Sequence, residues 1–297
     1  MINPLDALQI NTDLARKMIV AFIREEITRV GFTRGILGLS GGIDSALVAS
    51  LAVEALGADN VIGALMPYRT SNPASRADAE LLARQLGIAT RVIEITPLVE
   101  PYLDQYVSAH PERTLSDSDR SEEESKRKSK ERRRGNVMAR ARMIVLYDQS
   151  EAFRALVIGT SNKTEALLGY TTQFGDNAAA IHPLADLYKC QVRQLARALN
   201  VPDAIIAKAP SADLWQGQTD EGELGFTYDD ADAILYRLVD ERRHADDVIA
   251  LGFDARIVHR IVALVQRNQF KRVLPPVAKI SARTVGADFL YNRDWGK

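Results

Sequence analysis

The chain has 297 residues, 46% hydrophobic and 26% charged, with a formal net charge of −1. That length supports a substantial core in one large α/β domain or two smaller ones, and the balanced charge excludes a global pull toward nucleic acid or a membrane surface. The single cysteine, Cys190, excludes an internal disulfide or a cysteine-rich metal site. No run approaches the ~20 apolar residues that span a bilayer, and the acid-bearing N-terminus has no signal-peptide core, so a cytoplasmic protein is the simplest expectation.

In chain order, residues 12–30 predict a helix with Leu14, Met18, Ile19, Phe22, Ile23 and Ile27 on one stripe, capped at Asn11, Thr12 or Asp13 and ended by Gly31. A first strand over residues 35–39 runs into Ser40-Gly41-Gly42, and an amphipathic helix starts at once with Ile43, Leu47, Val48 and Leu51. A second strand over residues 60–66 closes at Pro67, a helix over 74–86 stops at Gly87, and a third strand covers 90–95. Residues 116–134 carry no apolar side chain, which predicts a mobile charged loop or a solvated helix held by Glu to Lys and Arg pairs. Interspersed acids and the lack of aromatics argue against a nucleic-acid arm there. A strong amphipathic helix follows Gly135, then a fourth strand and its exit loop from Arg154, a helix over 187–199, further helices between Tyr228 and Phe270, and a Pro-bearing tail without periodicity.

Strands alternating with helices of this length predict α/β architecture: a doubly wound parallel sheet with helices on both faces, plus a helical C-terminal segment. Ligands in such sheets gather beyond the carboxyl ends of the strands. Ser40, the stretch from Pro67 to Ser71, Thr96, and Gly159-Thr160-Ser161-Asn162-Lys163-Thr164-Glu165 all fall at that edge.

The turn within residues 38–45, Gly38-Leu39-Ser40-Gly41-Gly42-Ile43-Asp44-Ser45, is a candidate anion cradle, since glycines expose backbone N–H groups and a helix start adds partial positive charge. An acid in a phosphate cradle needs an intervening divalent cation, so Asp44 points to a nucleotide with Mg²⁺. Neither the P-loop nor the dinucleotide fingerprint is present. Glu165, at the same edge, is a candidate second carboxylate for that metal; an alternative is a solvated acid in a helix's first turn, with Thr160 or Asn162 simply capping it.

Ser40-Gly41-Gly42-Ile43-Asp44-Ser45 resembles the S-G-G-x-D-S loop of the ATP pyrophosphatases, a superfamily with an adenine-nucleotide alpha-hydrolase-like fold. Gly135-Asn136, Arg140, Arg142, the 159–165 stretch, Gly169-Tyr170, Gly175-Asp176, Asp186-Leu187-Tyr188-Lys189, the run from Lys208 to Leu214 and Gln218-Thr219-Asp220-Glu221 follow in the order found in ammonia-dependent NAD synthetases. The resemblance spans residue 12 to the end and implies one NAD-synthetase-like domain over 1–297. It implies adenylation of the nicotinate carboxylate of deamido-NAD by ATP, pyrophosphate release, and attack by ammonia to give NAD and AMP.

By the same resemblance, residues 38–45 with Thr160, Lys189 and Ser211 bind ATP, and Asp44 and Glu165 hold Mg²⁺. Asp44 and Lys189 serve the departing pyrophosphate, where a compact cation offsets developing charge. Arg140, Gln173, Asp176, Ala180, Phe270 and Lys271 occupy positions facing deamido-NAD. Arg142 lies about 200° from Arg140 around a helix and belongs to another face. In that family the helix bearing both arginines helps form a two-fold dimer, so the resemblance implies a homodimer. Free ammonia, or ammonia from a separate protein, is the expected nitrogen source, and Cys190 reads as a packed helix residue.

Three acceptor positions depart from the family: Gln173 replaces a common Lys, Ala180 a common Asp, and Phe270-Lys271 a His-Lys pair. Losing charged contacts, each worth roughly 1.5 to 3 kcal/mol, leaves two readings open: a divergent NAD synthetase, or a relative that amidates another carboxylate. A tRNA-modifying pyrophosphatase and a non-catalytic nucleotide-binding relative are the further rivals.

Overall fold

The computed structural model describes residues 4–107, 120–211, 219–286 and 288–289. Its helices and strands in chain order are α1 (Thr12–Arg29), β1 (Arg34–Gly38), α2 (Ile43–Leu56), β2 (Val61–Leu65), α3 (Pro73–Leu86), β3 (Ala89–Val92), α4 (Thr96–Tyr102), α5 (Arg120–Phe153) and β4 (Ala155–Val157). There follow α6 (Lys163–Leu168), α7 (Lys189–Ala198), α8 (Asp203–Ile206), α9 (Asp220–Leu224), α10 (Tyr228–Leu235), α11 (Ala245–Ala250) and α12 (Ala255–Arg267).

The four strands form one parallel sheet in the order β3-β2-β1-β4, as expected of a doubly wound fold. Alternation along the strands sends Leu37, Val61, Leu65 and Ile158 to one face, where they pack with buried residues of α1, α2, α3 and α7. Ile36, Ile62, Ala64, Ala155 and Val157 face the other way, toward Leu146 and Phe153 of α5. A separate apolar cluster joins Leu168, Tyr188 and Cys190 to α10, α11 and α12. The C-terminal helices thus build their own core beside the sheet. No helix among the described residues is long and apolar enough to cross a membrane.

Strand order reverses between β1 and β4, so the loops leaving these strands part at the sheet's C-terminal edge and leave a crevice there. Gly87 ends α3 in the left-handed region, as its position predicts.

Two regions depart from the pattern read in the sequence. Ile23 and Ile27 of α1 are buried, but Leu14, Met18 and Phe22 are exposed. At 3.6 residues per turn these three lie roughly 120° or more from the centre of the buried stripe, so the six residues were too broad a set for one face. In the charged segment, residues 120–134 are the first half of the 34-residue α5, which continues through Gly135. Of the two forms expected, the described part takes the helix; Arg127 and Glu131 pair across one turn at 3.5 Å. Residues 116–119 lie outside the described residues.

Candidate active site

The loop after β1 folds on its own hydroxyls. Ser45 Oγ accepts from Ser40 N at 3.2 Å and donates to the Gly42 carbonyl at 3.0 Å, while Ser40 Oγ lies 3.0 Å from Ser45 Oγ and accepts from Gly42 N at 3.2 Å. Gly41 has φ +77°, and a Cβ there would lie 2.0 Å from the Ser75 carbonyl oxygen at the start of α3. Both the backbone angle and the close approach therefore require glycine. The following helix, α2, starts at Ile43 and presents Asp44 in its first turn.

A second helix start faces it. Asn162 caps α6: its Oδ1 accepts from Glu165 N at 3.0 Å, and Glu165 Oε2 accepts from Asn162 N at 3.3 Å, a reciprocal capping box. The Asn162 amide is then free to donate to Asp44 Oδ1 at 2.9 Å. A third helix start supplies the cation. Lys189 opens α7, where its own N–H donates to Thr164 Oγ1 at 3.0 Å and the next, Cys190 N–H, donates to Asp232 Oδ2 at 2.7 Å. These bonds satisfy the orphan donors of the helix end and fix its position.

Lys189 Nζ lies 2.5 Å from Asp44 Oδ2 and 3.4 Å from Glu165 Oε1. The lysine side chain is 3% exposed, against 19% for Asp44 and 17% for Glu165, so the carboxylates face the crevice and the ammonium backs them. Burial alone would lower the Lys189 pKa, but Asp44 and Glu165 outweigh it and hold the group above its ordinary value. Burial pushes Glu165 up to about 8, against the pull of Lys189 and with help from Asp44 and Asp220. Two carboxylates thus pair with one lysine, and the charge of Asp220 adds to theirs.

Behind the lysine, the Tyr228 ring centroid is 5.1 Å from Nζ. The hydroxyls of Tyr228 and Tyr170 donate to the two oxygens of Asp220 at 3.1 and 3.2 Å, and burial raises both phenols. Asp220 and Tyr170 stood among the motif residues without a role, and Asn162 only as a candidate cap, which it is; Tyr228 was missed, since only tertiary structure brings α10 under Lys189.

The other predicted residues divide into two groups. Thr160 is half-buried in the loop leading to Asn162, beside the cluster. Ser211 is exposed on a separate segment; Ala212, Asp213, Leu214 and Gln218 of its motif lie outside the described residues. On the acceptor side, Arg140 on α5 donates to the Gln173 carbonyl at 3.2 Å. Arg142 instead donates to the Met66 carbonyl at 3.2 Å, placing the two arginines on different partners as the helix angle requires. Asp176 accepts from Thr172 N at 2.7 Å. Ala180 N donates to the Val157 carbonyl, extending the sheet edge. Phe270 is exposed. Lys271 donates to the Gly169 and Thr171 carbonyls at 2.6 and 2.7 Å, so its charge holds the acceptor loop from behind. Cys190 is buried and burial raises its thiol, consistent with a packed residue.

Two hard carboxylates from separate helix starts, outnumbering their lysine, suit Mg²⁺ that takes its other ligands from phosphate and water. Among the described residues no group of three His, Cys, Asp or Glu side chains could enclose a metal unaided.

The family model described as NAD synthase matches residues 15–275. The NH(3)-dependent NAD(+) synthetase of Trichlorobacter lovleyi is 51% identical over 290 residues, covering 98% of this chain and 99% of that one. Among solved structures, the NMN synthetase from Francisella tularensis superposes with a TM-score of 0.76 at 32% identity, over 92% of this chain and all of that one. The NH3-dependent NAD synthetase from Campylobacter jejuni gives 0.72 at 32% identity, over 91% of this chain and all of that one.

Proposed function

The chain belongs to the NAD synthase family, and we propose that the cluster of Asp44, Asn162, Glu165 and Lys189 is its adenylation centre. The protein is a ligase that forms a carbon–nitrogen bond, with ammonia-dependent NAD synthetase activity and ATP as co-substrate. The observation that carries the site assignment is the meeting of Asp44 and Glu165 on the buried Lys189, beside the Ser40-Gly41-Gly42 turn at the sheet's switch point.

The start of α2, at the end of the Ser40-Gly41-Gly42 turn, offers helix-end N–H donors and partial positive charge to the ATP phosphates. Thr160 and Ser211 add hydroxyl donors from two other segments. A carboxylate is a poor electrophile; joining the nicotinate carboxylate to AMP creates a mixed anhydride whose leaving group ammonia displaces. Lys189 stabilises negative charge on the departing pyrophosphate from a fixed, water-poor position. Asp44 and Glu165 would hold Mg²⁺, which when bound supplies further charge neutralisation on phosphate oxygens. Asn162 holds the Asp44 carboxylate in orientation through its amide.

The acceptor lies against α5 and the loop from Gly169 to Ala180, with Arg140, Gln173, Asp176, Phe270 and Lys271 around it. Exposed Ile144 and Tyr147 follow Arg140 on α5 and support this helix as the homodimer contact. A single domain over 1–297 accommodates all of these roles.

The altered Gln173 and Ala180 favour one second reading, a shorter acceptor, as in the neighbour named an NMN synthetase. One assay tests both: purified protein with ATP, Mg²⁺ and ammonium, supplied with deamido-NAD or with nicotinate mononucleotide, and Asp44→Ala as control. NAD formation at a higher kcat/KM than NMN formation is expected. A preference for the mononucleotide overturns the dinucleotide assignment, and product from Asp44→Ala at the wild-type rate overturns the site.

A further inference from the structure

Lys208 lies two residues beyond α8, on the exposed segment that leads to Ser211. Its neighbours Ala207 and Ala209 are exposed, yet its own side chain turns inward to 26% exposure. There Nζ donates to Ser75 Oγ at 2.8 Å and to Asp78 Oδ2 at 3.0 Å, both in the first turns of α3. These partners stand 133 and 130 residues away in sequence. Ser75 is also the residue whose carbonyl oxygen seats on Gly41, close enough that a Cβ at Gly41 would lie 2.0 Å from it. The segment carrying Ser211, the start of α3 and the Ser40-Gly41-Gly42 turn therefore touch in sequence through one ammonium and one serine.

The same segment is tied a second time one residue before Ser211, because Asp220 N donates to the Pro210 carbonyl at 3.1 Å. Lys208 and Pro210 together fix the approach to Ser211. An ion pair this accessible adds little to global stability. Its effect is geometric: two charge-assisted bonds set the distance between a hydroxyl-bearing segment and the anion cradle.

We propose that Lys208 is a positioning residue for the ATP step, clamping the Ser211 segment to α3 and through Ser75 to the Gly41 turn. The proposal rests on the reading of Ser211 and residues 40–42 as ATP contacts. Lys208 touches no reacting atom; it acts by holding two phosphate-side elements in register. Positioning of this kind is felt steeply, since small displacements of binding groups cost large factors in rate.

Four full-length variants test it: Lys208→Met, Lys208→Arg, Asp78→Asn and Ser211→Ala. Each is assayed for KM of ATP, KM of ammonium and kcat, for ATP binding by calorimetry, and for its urea midpoint. Lys208→Met should raise KM for ATP about tenfold, the order set by losing a charge-assisted bond, with KM for ammonium and the urea midpoint nearly unmoved. Lys208→Arg should recover most of the ATP affinity, because a guanidinium reaches both Ser75 and Asp78. Asp78→Asn, which keeps the Ser75 bond, should show a smaller rise and keeps the test decisive if Lys208→Met fails to fold. An unchanged KM for ATP in Lys208→Met, alongside a raised one in Ser211→Ala, overturns the clamp and leaves the ATP reading standing. No effect of Ser211→Ala on ATP removes the underlying reading and the clamp with it. Parallel loss of ATP affinity, ammonium affinity and stability in Lys208→Met identifies a merely structural role and also overturns it.

Discussion

The phosphate edge and the acceptor loop sit at the same end of one sheet and are built on opposite principles. At the phosphate edge, three helix starts converge, and the charged side chains bond to one another: Asp44 to the Asn162 amide and to Lys189, and Glu165 to Lys189. On the acceptor side the named side chains hold main chain instead, Arg140 at Gln173, Asp176 at Thr172 and Lys271 at Gly169 and Thr171. A side-chain network tolerates no member's loss, because each charge is desolvated against the others. A loop held through its backbone keeps its path while the side chains facing the ligand change. That difference would let the proposed adenylation centre persist while residues 173 and 180 change.

The sharpest way to break this contrast is Lys189→Met. Removing the ammonium leaves Asp44 and Glu165 facing each other, and taking one partner from a buried pair costs about 3 to 5 kcal/mol. The variant is expected to lose NAD formation and to unfold at a clearly lower urea concentration, with Mg²⁺ recovering part of the stability by replacing the lost positive charge. A wild-type urea midpoint without Mg²⁺ would show that the cluster is not the interdependent unit described.

Arg140→Ala probes the other side and should do less to the fold. It removes a single exposed hydrogen bond to the Gln173 carbonyl, so stability should change by about 1 kcal/mol or less. The expected kinetic signature is a raised KM for deamido-NAD with KM for ATP unaltered, read from initial rates with each substrate varied in turn. Equal losses for both substrates would mean that α5 supports the phosphate edge as well, and the two regions would no longer be separable.

How much of this was legible beforehand follows the same divide. Strand, glycine turn and helix start are local events, so Ser40, Asp44 and Ser45 could be placed from a few residues of pattern. The sheet's alternation is likewise written into β1 and β2. What the sequence could not show is convergence: Asn162 reads as a cap, and it is one, but its second bond reaches Asp44 across 118 residues. Tyr228 has no local mark at all, because its role depends on the C-terminal helices packing under α7. The stripe on α1 failed for a simpler reason, since Leu14, Met18 and Phe22 are apolar without being inward. The charged start of α5 could be read as loop or helix because propensity alone sets no tertiary context.

The smallest effect expected concerns His182, which stands where the two regions join. Its ring packs against Gly159, where a Cβ would meet Nδ1 at 2.5 Å, and Nδ1 is buried with no hydrogen-bond partner. Burial lowers its pKa, with the Asn177 carbonyl opposing. The folded protein thus binds fewer protons here than the unfolded chain, whose histidine titrates near 6.5. Stability from this site is complete above that pH and declines as pH falls through the unfolded value toward the folded one. His182→Gln should flatten the fall in urea midpoint between pH 7 and pH 5 while leaving the unfolding free energy at pH 8 within about 1 kcal/mol of wild type. An unaltered pH profile would mean that the imidazole is already protonated or solvated in the fold.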